Sequence, residues 1–252
     1  MKIQYCSDLH LEFPGNEEFM RKNPLKPEGD ILILAGDIVP FCMMDEHSGF
    51  FDWISCNFNM TYWLSGNHEY YHSDISERSG FLNEKIRENV ILINNNSVHH
   101  GDIRIIFTTL WSKISPQNQF EIRQRLSDFH AIRKNGKEFI PDDYNLGHET
   151  ALAFLRNELS AENDLKNIVV THHAPTFRNY PEKYRGDSLN EAFGVELFDI
   201  ISGNKIDYWI YGHHHYNCPD FNIGNTSLRT NQLGYIQYNE NLGYHNARCI
   251  VI

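Results

Sequence analysis

Five short polar segments carry most of the residues in this chain that could do chemistry, and each follows an apolar run. They are Asp8-Leu9-His10, Gly36-Asp37, Gly66-Asn67-His68-Glu69, His172-His173 and Gly212-His213-His214-His215. Functional groups collect at the carboxyl ends of strands in open α/β sheets, so we expect the segments to converge on one crevice. Their nitrogen and oxygen donors, without thiolates, suit divalent Mn, Fe, Zn, Co or Ni better than Ca or a soft metal.

Alternation along an extended chain indicates which of these side chains point together. Asp8 and His10 are separated by one residue, so both can face the same side of the chain. The same holds for His213 and His215. His214 lies between the second pair, and we expect it to point away and to pack or hydrogen-bond instead.

Asp37 and the adjacent histidines 172 and 173 need separate interpretation. Asp37 follows a buried strand without an obvious partner, and such a carboxylate usually needs a cation or hydrogen bonds. Its two oxygens would allow it to bridge two ions. Of the two histidines, His172 is nearer the strand end and is favoured over His173, because alternation turns the next side chain away.

The apolar runs and the stretches between them predict the elements that position these residues. Strands are predicted at 2–6, 30–35, 60–64, 167–170 and 206–210, and helices at 74–88, 145–160 and 189–202. This alternation indicates an α/β fold. Later short runs at 221–223, 227–229 and 234–236 predict an antiparallel end to a sheet. Residues 113–144 are polar and weakly periodic, and we interpret them as an insertion over one end of a single domain spanning 1–252.

The composition limits the classes of partner. A chain of 252 residues with 41% hydrophobic and 22% charged residues is typical of a globular protein. Its net charge of −11 makes a long nucleic acid an unfavourable partner, and an anionic membrane as well. The five cysteines are scattered and include no CxxC pair, which predicts reduced thiols in the cytoplasm. We expect no signal peptide and no transmembrane helix.

Taken in order from Asp8 to His215, the patterns DxH, GD, GNHE, H and GHxH resemble those of the calcineurin-like metallophosphoesterase superfamily. The SDLHLEF start and the THHAP segment look closest to the small bacterial phosphohydrolases of that group. The resemblance implies a four-layer α/β/β/α sandwich, in which two mixed sheets pack face to face. It also implies two divalent metal ions, with Mn favoured.

The resemblance carries a set of site residues onto the matching positions. The implied ligands of the two ions are Asp8, His10 and His215 for the first, and Asn67, His172 and His213 for the second. Asp37 would bridge the two ions. His68 would be the charged or proton-donating residue beside the scissile phosphate.

One departure from the family pattern concerns the surroundings of His68. Many members of the family carry a second acid in a GDxxD segment, and this acid helps to orient the catalytic histidine. Here the position of that acid is Pro40. The sequence therefore leaves open what orients His68, and Glu69 is a candidate for a structural role only.

The loop at 176–190 follows the predicted ligand His172 and is the candidate substrate-binding segment. It carries Arg178, Tyr184 and Arg185. Arginine suits bidentate contact with a phosphate, and tyrosine suits stacking on a ring. The alternative is that this loop is simply solvated.

Two hypotheses about function follow from these patterns. The first is a phosphoesterase that hydrolyses a phosphate mono- or diester by attack of a metal-bridging hydroxide. The second is a non-catalytic binding module on the same fold, and such a module would be expected to have lost ligands. Because every expected ligand is present, we favour the hydrolase, acting on a small phosphorylated substrate. The sequence carries no prediction of oligomeric state.

Overall fold

The computed structural model describes residues 1–161 and 163–252. Its strands are β1 Lys2–Cys6, β2 Ile31–Ala35, β3 Met60–Leu64, β4 Leu82–Arg87, β5 Val90–Asn94, β6 Asn96–His100, β7 Ile103–Thr108, β8 Arg133–Lys134, β9 Lys137–Glu138, β10 Lys166–Thr171, β11 Tyr208–Tyr211, β12 Phe221–Ile223, β13 Thr226–Thr230 and β14 Cys249–Val251. Its helices are α1 Pro14–Lys22, α2 Ser48–Asn57, α3 Gln119–Arg125, α4 Asp128–Ala131, α5 Pro141–Ser160 and α6 Phe198–Gly203.

Within the described residues, most strands belong to two six-stranded sheets of similar design. The first has the order β14-β1-β2-β3-β5-β4 and the second the order β12-β13-β11-β10-β7-β6. In each sheet the four inner strands run parallel and both edge strands are antiparallel. Both sheets are therefore mixed, as the family resemblance implied, and the parallel strands bring their carboxyl ends to one edge.

The apolar side chains explain why the sheets and helices stack in four layers. Between the sheets, Ile33 and Tyr62 of the first pack with Phe107 and Val170 of the second. On the outer face of the first sheet, a cluster joins side chains of its strands to α1 and α2. On the outer face of the second, a cluster joins its strands to α5 and α6. The α/β/β/α sandwich is therefore confirmed.

The helix α5 shows how the local sequence builds the outer layer. Pro141 occupies its first turn, where a missing N–H costs nothing. Asp143 then accepts a hydrogen bond from the Ile140 N–H at 3.2 Å, and its charge suits the helix N-terminus. Ala151 and Leu155 are buried on the face that meets the sheet. Among the residues that the structure describes, no helix has both the length and the apolar character needed to cross a membrane.

Three predicted elements are wrong. Residues 74–88 form a short 3₁₀ turn and then strand β4, because this segment pairs antiparallel with β5 and the pairing overrides its helical appearance. The predicted helix at 189–202 is broken near Gly194, where the backbone bonds to the chain at Ala174 before α6 begins. Residues 234–235 are irregular and Ile236 begins a 3₁₀ helix, and the Gly234 N–H donates to the Asp8 carbonyl oxygen at 3.0 Å.

The segment 113–144 carries α3, α4 and the β8–β9 hairpin. Although the segment is polar overall, it contains apolar side chains, among them Ile122, Phe129 and Ile132, which pack with Trp111 and Tyr144. The segment therefore contributes a small apolar cluster of its own beside the sheets. That 1–252 is one domain with an insertion stays a prediction.

Candidate metal centre

The predicted ligands all lie just beyond the ends of parallel strands, on one edge of the two sheets. Asp8 follows β1, Asp37 follows β2 and Asn67 follows β3, whereas His172 follows β10 and His213 follows β11. Backbone hydrogen bonds join the loops, and the His10 N–H donates to the Asp37 carbonyl oxygen at 3.0 Å. The convergence expected from the sequence is therefore present.

Four of these side chains form a first group of donors. Donor atoms of Asp8, His10, Asp37 and His215 all lie within 4.8 Å of one another. The Nε2 atoms of His10 and His215 are 2.9 Å apart, and His215 Nε2 lies 3.4 Å from an Asp8 carboxylate oxygen. Lone pairs from two imidazoles and two carboxylates therefore meet in one small volume, which is the donor set of a transition-metal site.

A second group lies next to the first and shares Asp37 with it. Donor atoms of Asp37, His172 and His213 lie within 4.8 Å of one another. His172 Nε2 is 3.1 Å from the Asn67 amide oxygen. His213 Nε2 contacts the Ala192 carbonyl oxygen at 3.1 Å, which leaves Nδ1 as the free donor atom of that ring.

The Asp37 carboxylate lies between the two groups. Its Oδ2 atom is 3.3 Å from His172 Nε2 and 3.8 Å from His10 Nε2. Its Oδ1 atom accepts a hydrogen bond from the His68 N–H at 2.9 Å. One oxygen is thus fixed by the backbone, and the other faces both sets of donors, as a bridging ligand must.

Two glycines leave room for this packing. A Cβ atom on Gly66 would lie 2.7 Å from His172 Nε2, and a Cβ on Gly212 would lie 2.6 Å from Asp8 Oδ2. Real Cβ atoms do not approach donor atoms so closely. The glycines of the Gly-Asn-His-Glu and Gly-His-His-His segments are therefore needed for close backbone approach.

The backbone at the site is strained. The residues other than glycine with positive backbone φ angles include Asp8 (56°), His10 (48°), Asp37 (56°), His213 (77°) and His215 (48°). This region is unfavourable for residues with a Cβ and is retained mainly where function requires it. The strain therefore coincides with five of the seven predicted ligands.

Buried carboxylates at the centre favour positive charge on their neighbours. Burial disfavours the imidazolium of His172, yet the neighbouring Asp37 carboxylate outweighs it and raises the pKa of His172 to about 9. Burial also opposes charge on His215, but Asp8 and Glu240 raise its pKa to about 10. The pKa of Asp37 lies well below its ordinary range, because His172 and other histidines outweigh its burial. Divalent cations would balance the charge of the same carboxylates, so the donor set fits metal ions.

Glu69 organises two of the ligand loops. Its carboxylate accepts hydrogen bonds from the N–H groups of Asp37 at 3.0 Å, Ile38 at 2.8 Å and Gly66 at 2.6 Å. The indole of Trp63 donates to it at 2.9 Å. Burial, together with the charge of Asp37, raises the pKa of Glu69 to about 7. The structural role that the sequence only suggested for Glu69 is to hold the loops after β2 and β3 together.

Asp128 was missed by sequence reasoning. It is fully buried, and its Oδ1 atom accepts from the Asn67 amide nitrogen at 2.8 Å and from the Tyr71 hydroxyl at 2.8 Å. By holding the amide nitrogen, Asp128 turns the Asn67 oxygen toward His172. It lies in the segment 113–144, where no recognisable pattern marks it.

His68 has a contact at each ring nitrogen and a stacking partner on one face. His68 Nδ1 lies 2.9 Å from an oxygen of Glu12, and Nε2 lies 3.2 Å from the Tyr235 hydroxyl. The imidazole also stacks on Tyr71 at 4.0 Å between ring centroids. Burial opposes charge on His68, but Asp37 and Glu12 raise its pKa.

His173 and His214 lie beside the centre and have other partners. His173 Nδ1 contacts the Ser112 hydroxyl at 2.7 Å. His214 is buried and its Nδ1 contacts the side chain of Gln232. These contacts accord with the packing and hydrogen-bonding roles expected for the histidines that alternation turns away.

A cavity of about 280 Å³ opens beside the donors. Its lining includes His68 and Asn67 together with Arg125, Tyr180 and Tyr235. It is therefore a mixed aromatic and polar space next to the donor atoms.

The three loop residues predicted to bind substrate lie in different places. Tyr184 lines the cavity. The guanidinium of Arg178 lies over the Phe198 ring at 4.4 Å, and Arg185 forms an exposed ion pair with Glu182 at 2.8 Å. The structure thus brings one of the three to the cavity, and it adds Arg125, which the sequence did not suggest.

Known proteins share this architecture. The chain is 34% identical over 264 residues to uncharacterized protein L509 of Acanthamoeba polyphaga mimivirus, covering 92% of this chain and 91% of that protein. Its fold is similar to that of the phosphopantetheinyl hydrolase PptH from Mycobacterium tuberculosis, with a TM-score of 0.72, 17% identity, and coverage of 99% and 95% of the two chains. It is also similar to a dimetal phosphatase from Danio rerio, with a TM-score of 0.50, 11% identity, and coverage of 92% and 87%.

The sequence profile of one family matches most of the chain. The calcineurin-like phosphoesterase profile matches residues 1–217, which include every predicted ligand. The buried aspartate and histidine groups lie within this range. The chain therefore belongs to the calcineurin-like phosphoesterase family and is a dinuclear metal-dependent phosphohydrolase.

Proposed function

We propose that the chain hydrolyses a mono- or diester bond of a small phosphorylated molecule at this centre. The proposed ligands of the two ions are Asp8, His10, Asp37 and His215 for the first, and Asp37, Asn67, His172 and His213 for the second. The single observation that carries this assignment is the position of Asp37 Oδ2, which faces the imidazoles of both groups.

Each part of the site has a separate task. Bound divalent ions supply an activated water and neutralise phosphate charge. Asp37 would serve as a ligand to both ions, and Asp128 and Glu69 hold the ligand loops in place. His68 lines the cavity, where it would stabilise charge on the phosphate or give a proton to the leaving group.

The cavity supports a small substrate. Its volume of about 280 Å³ suits a compact molecule, and its tyrosines can stack on a ring in the leaving group. Tyr184 is the best supported of the loop residues proposed to bind the substrate, whereas Arg178 and Arg185 remain proposals. The net charge of −11 weighs against a long nucleic acid.

The metal and the cellular compartment are further parts of the proposal. The nitrogen and oxygen donors suit Mn, Fe, Zn, Co or Ni, and we favour Mn. The five cysteines are free thiols in the structure, which supports a reducing compartment such as the cytoplasm.

Chelation followed by metal replacement tests this proposal. The purified chain is assayed on p-nitrophenyl mono- and diesters, and a phosphopantetheinyl ester is added because of the fold similarity to PptH. Excess EDTA should abolish hydrolysis, and Mn should restore it more fully than Ca. Full activity after dialysis against EDTA would contradict the proposal. The preferred ester identifies the substrate class.

A further inference from the structure

Glu12 lies outside the DxH, GD, GNHE, H and GHxH patterns that supply the proposed ligands. Pro40, which stands where GDxxD would supply an acid, has no carboxylate to offer His68. Glu12 lies two residues beyond His10 in a different loop, and its Oε1 atom is 2.9 Å from His68 Nδ1. Its side chain is only 10% exposed. A carboxylate from the loop after β1 therefore reaches the histidine that follows β3.

We infer that Glu12 is the positioning residue for His68, in place of the missing acid. The inference rests on the proposed function, because it assigns a role within the same reaction.

The contact fixes which nitrogen of His68 carries a proton. An ionised carboxylate only accepts hydrogen bonds, so His68 Nδ1 must donate to Glu12. The other nitrogen, Nε2, points to the Tyr235 hydroxyl at 3.2 Å, and both His68 and Tyr235 line the cavity. Stacking on Tyr71 fixes the plane of the ring. His68 therefore presents Nε2 to the substrate in one orientation.

Glu12 could instead act through the proposed metal ligand His10. The same Oε1 atom lies 3.2 Å from His10 Nδ1, which is a longer contact than the one to His68. Glu240 provides a comparison, because its Oε2 atom lies 2.7 Å from Nδ1 of the proposed ligand His215. A carboxylate that acts only through a ligand should change metal affinity, whereas one that acts through His68 should change rate at full metal occupancy.

A double-mutant cycle separates these routes. Glu12→Ala, His68→Ala and the double variant are assayed with saturating Mn, and metal content is measured for each. We expect Glu12→Ala to lower kcat about 10- to 100-fold with two metals retained and KM nearly unchanged. In the His68→Ala background the same substitution should change kcat by less than about threefold, because its effect passes through His68. Glu240→Ala, the matched control, should lower metal affinity in both backgrounds.

The outcomes of this cycle separate the role of Glu12 from the proposed function. An equal loss of kcat in both backgrounds, or a loss that follows metal content, would overturn the role of Glu12 and leave the proposed function standing. If Glu12→Ala does not fold, Glu12→Gln replaces it, because the amide oxygen can still accept from His68 Nδ1. Glu12→Gln should lower kcat less than Glu12→Ala would, and this loss should also vanish in the His68→Ala background. Wild-type protein without metal-dependent hydrolysis would contradict the proposed function.

A spectroscopic readout tests Glu12 without any assay of activity. Nitrogen-15 spectra of the histidine rings should show His68 protonated on Nδ1 in the wild-type chain. In Glu12→Ala this tautomer should no longer dominate. An unchanged His68 signal in Glu12→Ala would overturn the inference even if the protein proves inactive.

Discussion

The metal centre and the cavity wall are adjacent, but the chain builds them in different ways. The centre uses residues that directly follow strands β1, β2, β3, β10 and β11. The wall uses residues from the segments 125–128, 180–193 and 235–240, which contain no strand. The first depends on sheet topology, which brings parallel strand ends to one edge. The second depends on individual side-chain contacts.

The ion pair of Arg125 illustrates this second kind of assembly. Arg125 ends α3 and lies 3.2 Å from Asp187, so it joins the segment 113–144 to the loop after β10. Both side chains are partly exposed, and a solvent-exposed pair of this kind contributes little to stability. The centre should therefore tolerate substitution poorly, whereas the wall should tolerate it well.

Asp37→Asn should have the largest effect, because it changes the one side chain shared by both donor groups. Asparagine keeps the size of the side chain but has one oxygen and no charge, so both ion positions should weaken. We expect fewer than one metal per chain by elemental analysis and a loss of activity of at least about a hundredfold.

Asp220→Asn is the matched control for that substitution. Asp220 pairs with Arg229 and Arg248, which are not among the proposed ligands. This variant should retain both metals and most of its activity. If Asp37→Asn also binds two metals tightly, the bridging role of Asp37 is wrong.

Asp128→Ala should have an intermediate effect, since Asp128 lies in the segment 113–144, outside the ligand loops, but holds the side chain of Asn67. Removing its carboxylate frees the Asn67 amide to rotate, and the affinity of the second ion should fall about 10- to 100-fold. A Mn titration followed by activity measures this change. Asp142→Ala, an exposed substitution in the same segment, should leave the titration curve unchanged. Equal titration curves for both variants would contradict the role of Asp128 in positioning Asn67.

Substitutions in the wall should have the smallest effect. Tyr184→Ala removes a cavity-lining ring, and loss of a stacking contact of about 0.5–1.5 kcal/mol would raise KM by roughly tenfold at most. Arg185→Gln should change KM by less than about twofold, because Arg185 pairs with Glu182 in solvent. A larger effect for Arg185→Gln than for Tyr184→Ala would reverse our ranking of the proposed substrate contacts.

The same contrast explains what could be predicted from the sequence. The alternating strand and helix runs predicted an α/β fold, and the family resemblance predicted its four layers. The convergence of the five segments followed from their positions after strands. The helix predicted at 74–88 was wrong because strand β4 within it pairs with β5, and this tertiary pairing decides the structure.

Glu12 and Asp128 were missed for a related reason. Glu12 is visible in the SDLHLEF segment, but its contact with His68 joins residues that are 56 positions apart. Asp128 lies 61 positions from Asn67 in a segment without a pattern. Contacts of this kind depend on tertiary packing, and periodicity along one chain does not encode them.

Anomalous diffraction from crystals of the chain grown with Mn tests the central claim most directly. The account predicts two peaks at full occupancy. One should lie among Asp8, His10, Asp37 and His215, and the other among Asp37, Asn67, His172 and His213, with Asp37 touching both. A single peak, or two peaks without a shared Asp37 contact, would contradict the dinuclear arrangement proposed for this centre.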